Sequence, residues 1–142
     1  CWYGCGNTSI SNPSTIRIGI SRDGAVVLHQ GAVDIGQGSE TVVTQICAEA
    51  LGLPATAFLR LGADTAITPD AGKTSGSRQT FVSGNAAARA GRALRAEILR
   101  RANAGDGARL TLEGARLTVT DRGSRVIELA ALPETIRLRQ LS

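Results

Sequence analysis

Methionine is absent from the 142 residues of this sequence, and long apolar runs are absent too. A helix that spans a bilayer needs about 20 consecutive apolar residues, and no segment approaches that length. The first residues also lack the charged and apolar regions of a secretory signal peptide. We therefore expect a soluble, cytoplasmic protein with no membrane span. Since the sequence starts at Cys1 and stops on Leu-Arg-Gln-Leu-Ser, two arbitrary points, we expect a piece of a larger protein.

Few side chains in this sequence are suited to binding a metal ion. There are three cysteines and one histidine, and neither a second cysteine pair nor a second histidine accompanies them. A Cys1–Cys5 disulfide is conceivable but is not expected in a reducing cytosol. Cys47 lies within a helical apolar pattern, so we interpret it as a small buried apolar group. We predict no metal ligand among the protein side chains.

Lysine and aromatic residues are also scarce, which bears on nucleic-acid binding. The net charge is +4, and arginine supplies nearly all of the positive charge because Lys73 is the only lysine. Arginine suits phosphate, yet these arginines are dispersed along the chain and indicate a solvated surface. A basic nucleic-acid-binding module is an alternative function, but it would lack an aromatic platform and a clustered basic face. We expect no nucleic-acid partner.

Residue periodicity predicts a hairpin, a helix and a third strand in the first part of the chain. The isoleucines of residues 16–20 alternate with other residues as in a half-buried strand. The Asp23-Gly24 turn leads to a second strand at Ala25–Val33. Apolar residues at three- and four-residue spacing then indicate a helix that Gly52 and Pro54 end. Its apolar face is Val43, Ile46, Cys47, Ala50 and Leu51, and the third strand places Ala57, Leu59 and Leu61 on one face.

A long loop and a long helix come next. Residues 64–79 are mostly small or turn-forming, and a loop of this length in a compact domain is usually functional or disordered. A helix is predicted from Thr80 to Asn103, with small residues in its first half that favour close packing on the sheet. The buried stripe of this helix is Ala87, Ala90, Leu94 and Ile98. Beyond the helix, short strands are predicted at Leu110–Leu112, Leu117–Val119, Val126–Leu129 and Ile136–Leu138. This order predicts an α+β fold with an antiparallel or mixed sheet and two main helices packed on one face.

The first loop of chemical interest is Gly36-Gln37-Gly38-Ser39-Glu40-Thr41, at the start of the first helix. Glycines let a ligand approach the backbone, and the first N–H groups of a helix attract anions. Gln37 adds an amide that both donates and accepts, which suits the edge of a heterocycle. The other interpretation is a plain turn with Ser39 or Thr41 as the N-cap. The dinucleotide fingerprint Gly-x-Gly-x-x-Gly does not apply, because Thr41 replaces its third glycine.

The second loop is Lys73-Thr74-Ser75-Gly76-Ser77-Arg78-Gln79-Thr80, which precedes the second helix. Its hydroxyls, backbone N–H groups and arginine are suited to a phosphate or a carbonyl group. A P-loop is excluded, because Ile67 stands where its first glycine is required. The other interpretation is an ordinary Ser/Thr-capped helix start. Since both helices are expected to pack side by side on one sheet, the two loops are expected to converge on one ligand.

Five ordered motifs lie between residues 34 and 84. They are Asp34-Ile35-Gly36-Gln37-Gly38-Ser39-x-Thr41, Gln45-Ile46-x-Ala48-Glu49-x-Leu51-Gly52, Asp64-Thr65, Pro69-Asp70-Ala71-Gly72 and Ser75-Gly76-Ser77-Arg78-Gln79-Thr80-Phe81-Val82-x-Gly84. Together they resemble the molybdenum-binding part of the xanthine dehydrogenase and aldehyde oxidase family. The opening Trp2-Tyr3-Gly4-Cys5-Gly6-Asn7-Thr8 is most similar to bacterial aldehyde oxidoreductases. The resemblance covers about Cys1–Asn103, and the sequence from Ala104 onward is too generic to assign.

The resemblance implies an oxidoreductase with a molybdopterin cofactor, usually the cytosine dinucleotide form in bacteria. Such an enzyme oxidises an aldehyde or an N-heterocycle with water as the oxygen source. The implied partners are the rest of the molybdenum-binding subunit, an iron–sulfur domain or subunit and the small-molecule substrate. Iron–sulfur clusters, with FAD as a further candidate, would lie on other domains or subunits.

The resemblance also assigns residues by position. Gln37 and its flanking glycines would meet the pterin near the metal, and Ser75–Gln79 would hold the phosphate or nucleotide part. Asp34 and Asp64 would fix the loops. The cofactor-binding residues implied in this way are Gly36, Gln37, Gly38, Ser39, Ser75, Gly76, Ser77, Arg78 and Gln79.

The sequence departs from the family pattern in two respects. The family's catalytic glutamate lies in a glycine-rich segment near the far C-terminus of the large subunit, and no glutamate here has that setting. The glutamates are Glu40, Glu49, Glu97, Glu113, Glu128 and Glu134. The cysteine motifs of iron–sulfur clusters are also missing. We therefore expect no catalytic residue in this chain, and no activity from the chain alone.

The implied domain organisation is a single partial domain over residues 1–142. Residues 1–103 would form one of two related halves of the cofactor-binding region, and residues 104–142 would form short strands or a connector. A non-catalytic scaffold domain that keeps this fold without its ligand is a second alternative function.

Overall fold

The computed structural model describes residues 11–131 and 139–141. Within these ranges the elements are β1 (Ile16–Ile20), β2 (Val26–Gln30), α1 (Ser39–Leu51), β3 (Phe58–Gly62), α2 (Gln79–Ala102), β4 (Arg109–Glu113), β5 (Arg116–Thr120), β6 (Ser124–Glu128) and β7 (Arg139–Leu141). The α+β class and the order strand, strand, helix, strand, helix are confirmed. Neither helix is long and apolar enough to cross a membrane, as judged over the described part of the chain.

Strands β1, β2, β3 and β7 form a mixed sheet in the order β3-β2-β1-β7. The hairpin prediction is confirmed, since β1 and β2 are antiparallel with Ile20 opposite Val26. Strand β2 runs parallel to β3, and α1 forms the crossover between them. Both parallel strands therefore end at the same edge of the sheet. The two loops of chemical interest leave the sheet at that edge.

Strand β2 ends at Gln30, earlier than the predicted Val33. The next residue, Gly31, lies against the segment before the second loop, where an added Cβ would come 2.3 Å from the Pro69 carbonyl oxygen. Only a glycine permits so close an approach of two backbones. The chain therefore leaves the sheet at Gly31 and contacts the segment around Pro69 instead of extending the strand.

Both helices cover the sheet face that carries the buried side chains of β1 and β2. The buried stripe predicted for α2 is confirmed at Ala87, Ala90, Leu94 and Ile98. Two of its small residues, Gly84 and Gly91, contact α1, whereas packing on the sheet was predicted. An added Cβ at Gly91 would lie 2.6 Å from the Cys47 carbonyl oxygen, and one at Gly84 would lie 2.9 Å from Ile46 Cδ1. The glycines thus bring the two helices together.

Cys47 lies in this helix–helix contact with no exposed surface, as the apolar pattern predicted. Burial raises the pKa of its thiol to about 12. The Cys1–Cys5 pair lies outside the described residues.

The third strand is confirmed at Phe58–Gly62, although it starts one residue later than predicted. Ala55–Ala57 form a 3-10 turn, so Ala57 precedes β3. Ala57 and Phe58 both pack against the core, whereas Leu59 is 51% exposed.

The predicted C-terminal strands form a sheet of their own, with the order β4-β5-β6 and antiparallel pairing. Its buried residues Leu110, Leu117 and Val119 belong to the same hydrophobic core as the helices and the first sheet. The predicted strand at Ile136–Leu138 lies outside the described residues. Strand β7, just after it, pairs with β1.

Candidate functional site

The segment between β2 and α1, residues 31–38, contains the glycines of the first loop and is organised around the carboxylate of Asp34. Its Oδ1 accepts hydrogen bonds from the N–H groups of Gly36 (2.8 Å) and Gly38 (3.1 Å). Its Oδ2 accepts one from the N–H of Glu40 in the first turn of α1 (3.2 Å). The bond from Gly36 is the main cause that lowers the pKa of Asp34 below its usual range. Asp34 therefore fixes the loop, as expected, and also supplies negative charge to the start of α1.

Neither of the two N-cap residues predicted for the first helix, Ser39 and Thr41, is the N-cap in the structure. The N-cap of α1 is Gly38, with φ at 77° and no side-chain cap, so neither Ser39 nor Thr41 caps the helix. One N–H of the first turn of α1, that of Glu40, is bonded to the Asp34 carboxylate. An internal carboxylate therefore already lies at this helix start.

The Gln37 side chain folds back onto its own loop. Its Nε2 donates to the Val33 carbonyl oxygen (3.2 Å) and to Ser39 Oγ (3.2 Å), and its Oε1 accepts from the Ile35 N–H (2.6 Å). The neighbouring glycines have φ values of 104° and 77°, and a Cβ added to either would meet nothing within 4 Å. The loop thus has an ordered amide flanked by two backbone positions that face open space.

Arg78 lies beneath the second loop and is 4% exposed. Its Nη1 donates to the carbonyl oxygens of Ala71 (2.6 Å) and Lys73 (2.8 Å). Its Nη2 donates to the Pro13 carbonyl oxygen (2.8 Å), and its Nε donates to Asn12 Oδ1 (3.1 Å). The guanidinium therefore joins the second loop to the segment before β1, with its donors turned into the protein.

The exposed residues of the second loop are Lys73, the run Ser75-Gly76-Ser77 and, at the start of α2, Thr80. Gly76 and Ser77 both have positive φ, 59° and 53°. The N-cap of α2 is Arg78 without a side-chain cap, and the first turn has no acidic residue. A Ser/Thr cap is therefore not found here either. Unlike α1, whose first turn holds Glu40, α2 has no acidic residue in its first turn.

A shallow groove of about 390 Å³ opens beside this loop. Its lining residues are Ile46, Ser77, Thr80, Phe81, Gly84, Asn85 and Ala88. Since Ser77 and Thr80 belong to this lining, the groove continues the exposed surface of the second loop along the outer side of α1 and α2.

The two loops meet at one atom, the carbonyl oxygen of Val33. It accepts the bond from Gln37 Nε2 in the first loop and a bond of 2.9 Å from Thr74 Oγ1 in the second. Thr74 Oγ1 in turn accepts from Gln79 Nε2 (3.3 Å), which also donates to the Lys73 carbonyl oxygen (3.0 Å). The structure thus brings the two loops together, as the sequence led us to expect.

A buried pair of hydroxyls stands behind this junction and was missed by the sequence analysis. Ser83 Oγ donates to Gln79 Oε1, and Ser14 Oγ lies 2.8 Å from Ser83 Oγ. The Lys73 carbonyl can only accept, so the Gln79 NH₂ must face it and Gln79 Oε1 must face Ser83. The available sequence signal was the four-residue spacing from Gln79 to Ser83 within one helix.

The described residues contain no group of three or more His, Cys, Asp or Glu side chains able to hold a metal ion. The polar groups at the junction are instead amides, hydroxyls and backbone N–H groups. Such groups bind organic ligands through hydrogen bonds.

Comparison with known proteins agrees with this chemistry. The family model of the molybdopterin cofactor-binding domain matches residues 1–140. The putative xanthine dehydrogenase molybdenum-binding subunit of Escherichia coli K12 is 33% identical over 84 residues, which are 58% of this chain and 11% of that protein. The gamma subunit of the 6-hydroxypseudooxynicotine dehydrogenase complex of Paenarthrobacter nicotinovorans is 31% identical over 125 residues, 84% of this chain and 16% of that protein.

A solved structure with the same fold is CO dehydrogenase from Oligotropha carboxidovorans. The TM-score between the two structures is 0.64 and their sequence identity is 28%. The match covers 86% of this chain and 16% of the CO dehydrogenase chain. The chain thus spans 11% to 16% of the length of these three relatives. The family match also runs beyond Asn103, where the sequence resemblance was expected to end. On the strength of a match over nearly its whole length, this chain belongs to the molybdopterin cofactor-binding domain family of the xanthine dehydrogenase and aldehyde oxidase type.

Proposed function

We propose that this chain binds the molybdopterin cofactor of a molybdenum hydroxylase, with both loops in contact with the same cofactor molecule. The observation that carries the proposal is the shared Val33 carbonyl, which fixes Gln37 of one loop and Thr74 of the other. When bound, the cofactor supplies the molybdenum centre that oxidises an aldehyde or an N-heterocycle with water as the oxygen source. The chain's own residues bind and orient it.

The residues present fit such a cofactor. Gly36 and Gly38 leave space over the backbone where a Cβ would otherwise stand, which lets a flat ring approach closely. The second loop offers exposed hydroxyls and the N–H groups of a helix start. The proposed cofactor-binding residues are Gly36, Gln37, Gly38 and Ser39 in the first loop and Ser75, Gly76, Ser77, Arg78 and Gln79 in the second.

We assign the pterin to the first loop because its helix start is already neutralised. Asp34 binds the N–H groups of Gly36, Gly38 and Glu40, so a phosphate there would face a carboxylate in place of free donors. A neutral ring is not repelled in this way. The side-chain oxygen of Gln37 accepts one bond from Ile35 and has a second lone pair for an N–H group of the pterin.

We assign the phosphate, and the nucleotide of a cytosine dinucleotide form, to the second loop. Its helix start lacks an acidic residue, and Ser75 and Ser77 are exposed beside it. The adjoining groove gives room for the part of the cofactor beyond the phosphates. Arg78 and Gln79 act from beneath by holding the carbonyl groups of the loop, so their contribution is to position its exposed N–H and hydroxyl groups.

The reaction needs groups beyond this chain. We propose that a catalytic glutamate, iron–sulfur clusters and, in some arrangements, FAD belong to other parts of the enzyme. On this proposal the chain is inactive alone, and the rest of the molybdenum-binding subunit is its main partner. Residues 1–103 would form the cofactor-binding half. Residues 104–142 would connect it, although β4 and β5 already share its hydrophobic core.

The test is metal and nucleotide analysis of the full-length protein produced with its maturation partners. About one molybdenum per chain with releasable cytidine phosphate supports the proposal and directs a substrate screen to aldehydes and N-heterocycles. A folded protein with neither molybdenum nor nucleotide would favour the scaffold function. Molybdenum with a pterin but without cytidine would correct only the dinucleotide assignment.

A further inference from the structure

Strand β3 lies at one edge of the first sheet. Its neighbour among the described strands is β2, and the pairing with β2 is continuous from Phe58, opposite Val26, to Gly62, opposite Gln30. In an edge strand about half of the backbone N–H and C=O groups point away from the neighbouring strand and are free to pair. The side of β3 away from β2 therefore offers a row of backbone groups to one further strand.

The sequence of β3 does little to prevent such pairing. Natural edge strands usually avoid it through proline, a β-bulge or several charged side chains. Strand β3 reads Phe-Leu-Arg-Leu-Gly, its register with β2 has no bulge, and Arg60 is its one charged residue. The edge strands of the second sheet, β4 and β6, each carry an arginine and a glutamate. Of these three edges, β3 is the best suited to accept a strand.

The side chains of β3 define what the added strand must carry. Leu59 and Leu61 lie on the face away from the helices, and Leu59 is 51% exposed. Ile67, 42% exposed, adjoins this face, because its carbonyl oxygen accepts a bond of 3.1 Å from His29 Nδ1 on β2. Arg60 lies on the opposite face, is exposed, and forms no ion pair within the described residues. A fitting strand has apolar residues towards Leu59 and a carboxylate towards Arg60.

We propose that the free edge of β3 pairs with a strand from the rest of the molybdenum-binding subunit, with apolar residues on one face and a carboxylate on the other. This chain spans 11% to 16% of the length of the relatives described above, so an enzyme of that kind has ample chain to supply the strand. Main-chain hydrogen bonds along β3 give the affinity, and the alternating side chains give the register. The choice of occupant rests on the proposed function, whereas the free edge does not.

A second copy of this chain fits the edge less well. Arg60 is the middle residue of β3, so a symmetric antiparallel pair of β3 strands would place Arg60 of one copy directly opposite Arg60 of the other. Like charges directly opposite each other destabilise a sheet. A shifted register would remove backbone pairs from a strand of only five residues. A strand that carries a carboxylate at this position avoids both costs.

A crystal structure of the full-length protein tests the pairing directly. The expected result is a strand from outside residues 1–142 beside β3, with backbone N–H···O distances of about 2.7–3.2 Å and a carboxylate next to Arg60. An edge open to solvent, or one occupied by a second copy or by residues 1–142 themselves, overturns the proposal. The same map shows whether a cofactor lies at the two loops, so failure of the proposed function is distinguished from failure of the strand pairing.

A substitution on the exposed face of β3 gives an independent test. Because Leu59 is 51% exposed in this chain, Leu59→Lys should leave an uncovered strand unchanged. Beside the apolar residues of an added strand, the lysine should raise backbone hydrogen exchange of residues 58–62 in the full-length protein about tenfold or more. Val126→Lys is the matched control, because Val126 is 52% exposed on the edge strand β6. Unchanged exchange in Leu59→Lys, or an equal rise in Val126→Lys, contradicts the proposal.

Discussion

The two loops of the candidate site leave the same sheet edge, and each leads into a helix. They differ in the sign of the charged side chain that holds the loop in place. In the first loop, the exposed backbone turns around the carboxylate of Asp34, which binds three N–H groups. In the second loop, the buried charged residue is Arg78, which is bonded to three carbonyl oxygens and an amide oxygen. The first loop is thus held by a carboxylate that accepts hydrogen bonds, and the second by a guanidinium that donates them.

This difference teaches that glycines before a helix do not by themselves make an anion site. What matters is whether the first N–H groups of the helix already have a partner. At α1 a carboxylate from the loop is bonded there, whereas at α2 the first turn has no acidic residue. The comparison gives the basis for assigning a neutral ring to one loop and a phosphate to the other.

The largest effect is expected from removing the cation. Arg78→Ala leaves buried carbonyl groups of the second loop without donors, and such losses in a buried network cost about 3 kcal/mol or more. The free energy of unfolding, measured by denaturant titration, should fall accordingly, and cofactor content should fall with it. Arg89→Ala on the exposed face of α2 is the control and should change stability by less than about 0.5 kcal/mol. Equal effects of the two substitutions would contradict the role given to Arg78.

A smaller, functional effect is expected in the first loop. Gln37→Ala removes an exposed side chain that binds only its own loop, so the fold should persist. We expect turnover of the full-length enzyme to fall about tenfold or more, because misplacement of a bound group is costly to catalysis. The measurement is the steady-state rate at known molybdenum occupancy, with Gln45→Ala as the control. Unchanged turnover at full occupancy would remove Gln37 from the site.

Cutting the link between the loops tests whether they act together. Thr74→Val keeps the shape of the side chain but removes the bond to the Val33 carbonyl, at an expected cost of about 1 kcal/mol. Thr44→Val removes a comparable hydroxyl bond inside α1 and is the matched control. If the loops share one cofactor, only Thr74→Val should lower molybdenum and nucleotide content. A loss in both variants would indicate a general effect on stability.

The smallest effect concerns pH. Hydrogen bonds to the folded loop hold the pKa of Asp34 below its ordinary value of 3.8. The contribution of this carboxylate is therefore complete above that value and is lost as the pH falls below it, through the lower pKa of the folded state. Amide chemical shifts of Gly36 and Gly38, followed by NMR, should move only in this acidic range. Asp34→Asn should abolish the transition, and a shift centred near pH 6 would show that another group controls the loop.

The sequence predicted the helices and most strands because their apolar residues repeat at the spacing of each element. It started β3 one residue too early, because Ala57 belongs to a 3-10 turn before the strand. It also assigned Gly84 and Gly91 of α2 to the sheet, whereas they contact α1. Spacing shows which face of a helix is buried but not which element covers it.

For the candidate site, sequence identified the two loops but not the groups that hold them. Gln37 and Arg78 were predicted to bind a ligand from their chemistry and from the family resemblance. The bonds that Arg78 makes to Asn12 and Pro13 join positions far apart in the chain, so no local pattern reveals them. The same holds for the Ser14–Ser83 pair, which depends on how α2 meets the segment before β1.

The contact between α1 and α2 also contains its own reporter of unfolding. Alkylating reagents must reach the thiolate, but Cys47 has no exposed surface and burial raises the pKa of its thiol. Modification of Cys47 therefore requires the helices to separate first. The rate of its labelling would then measure how often this contact opens, and a bound ligand that holds the two loops together should slow that labelling.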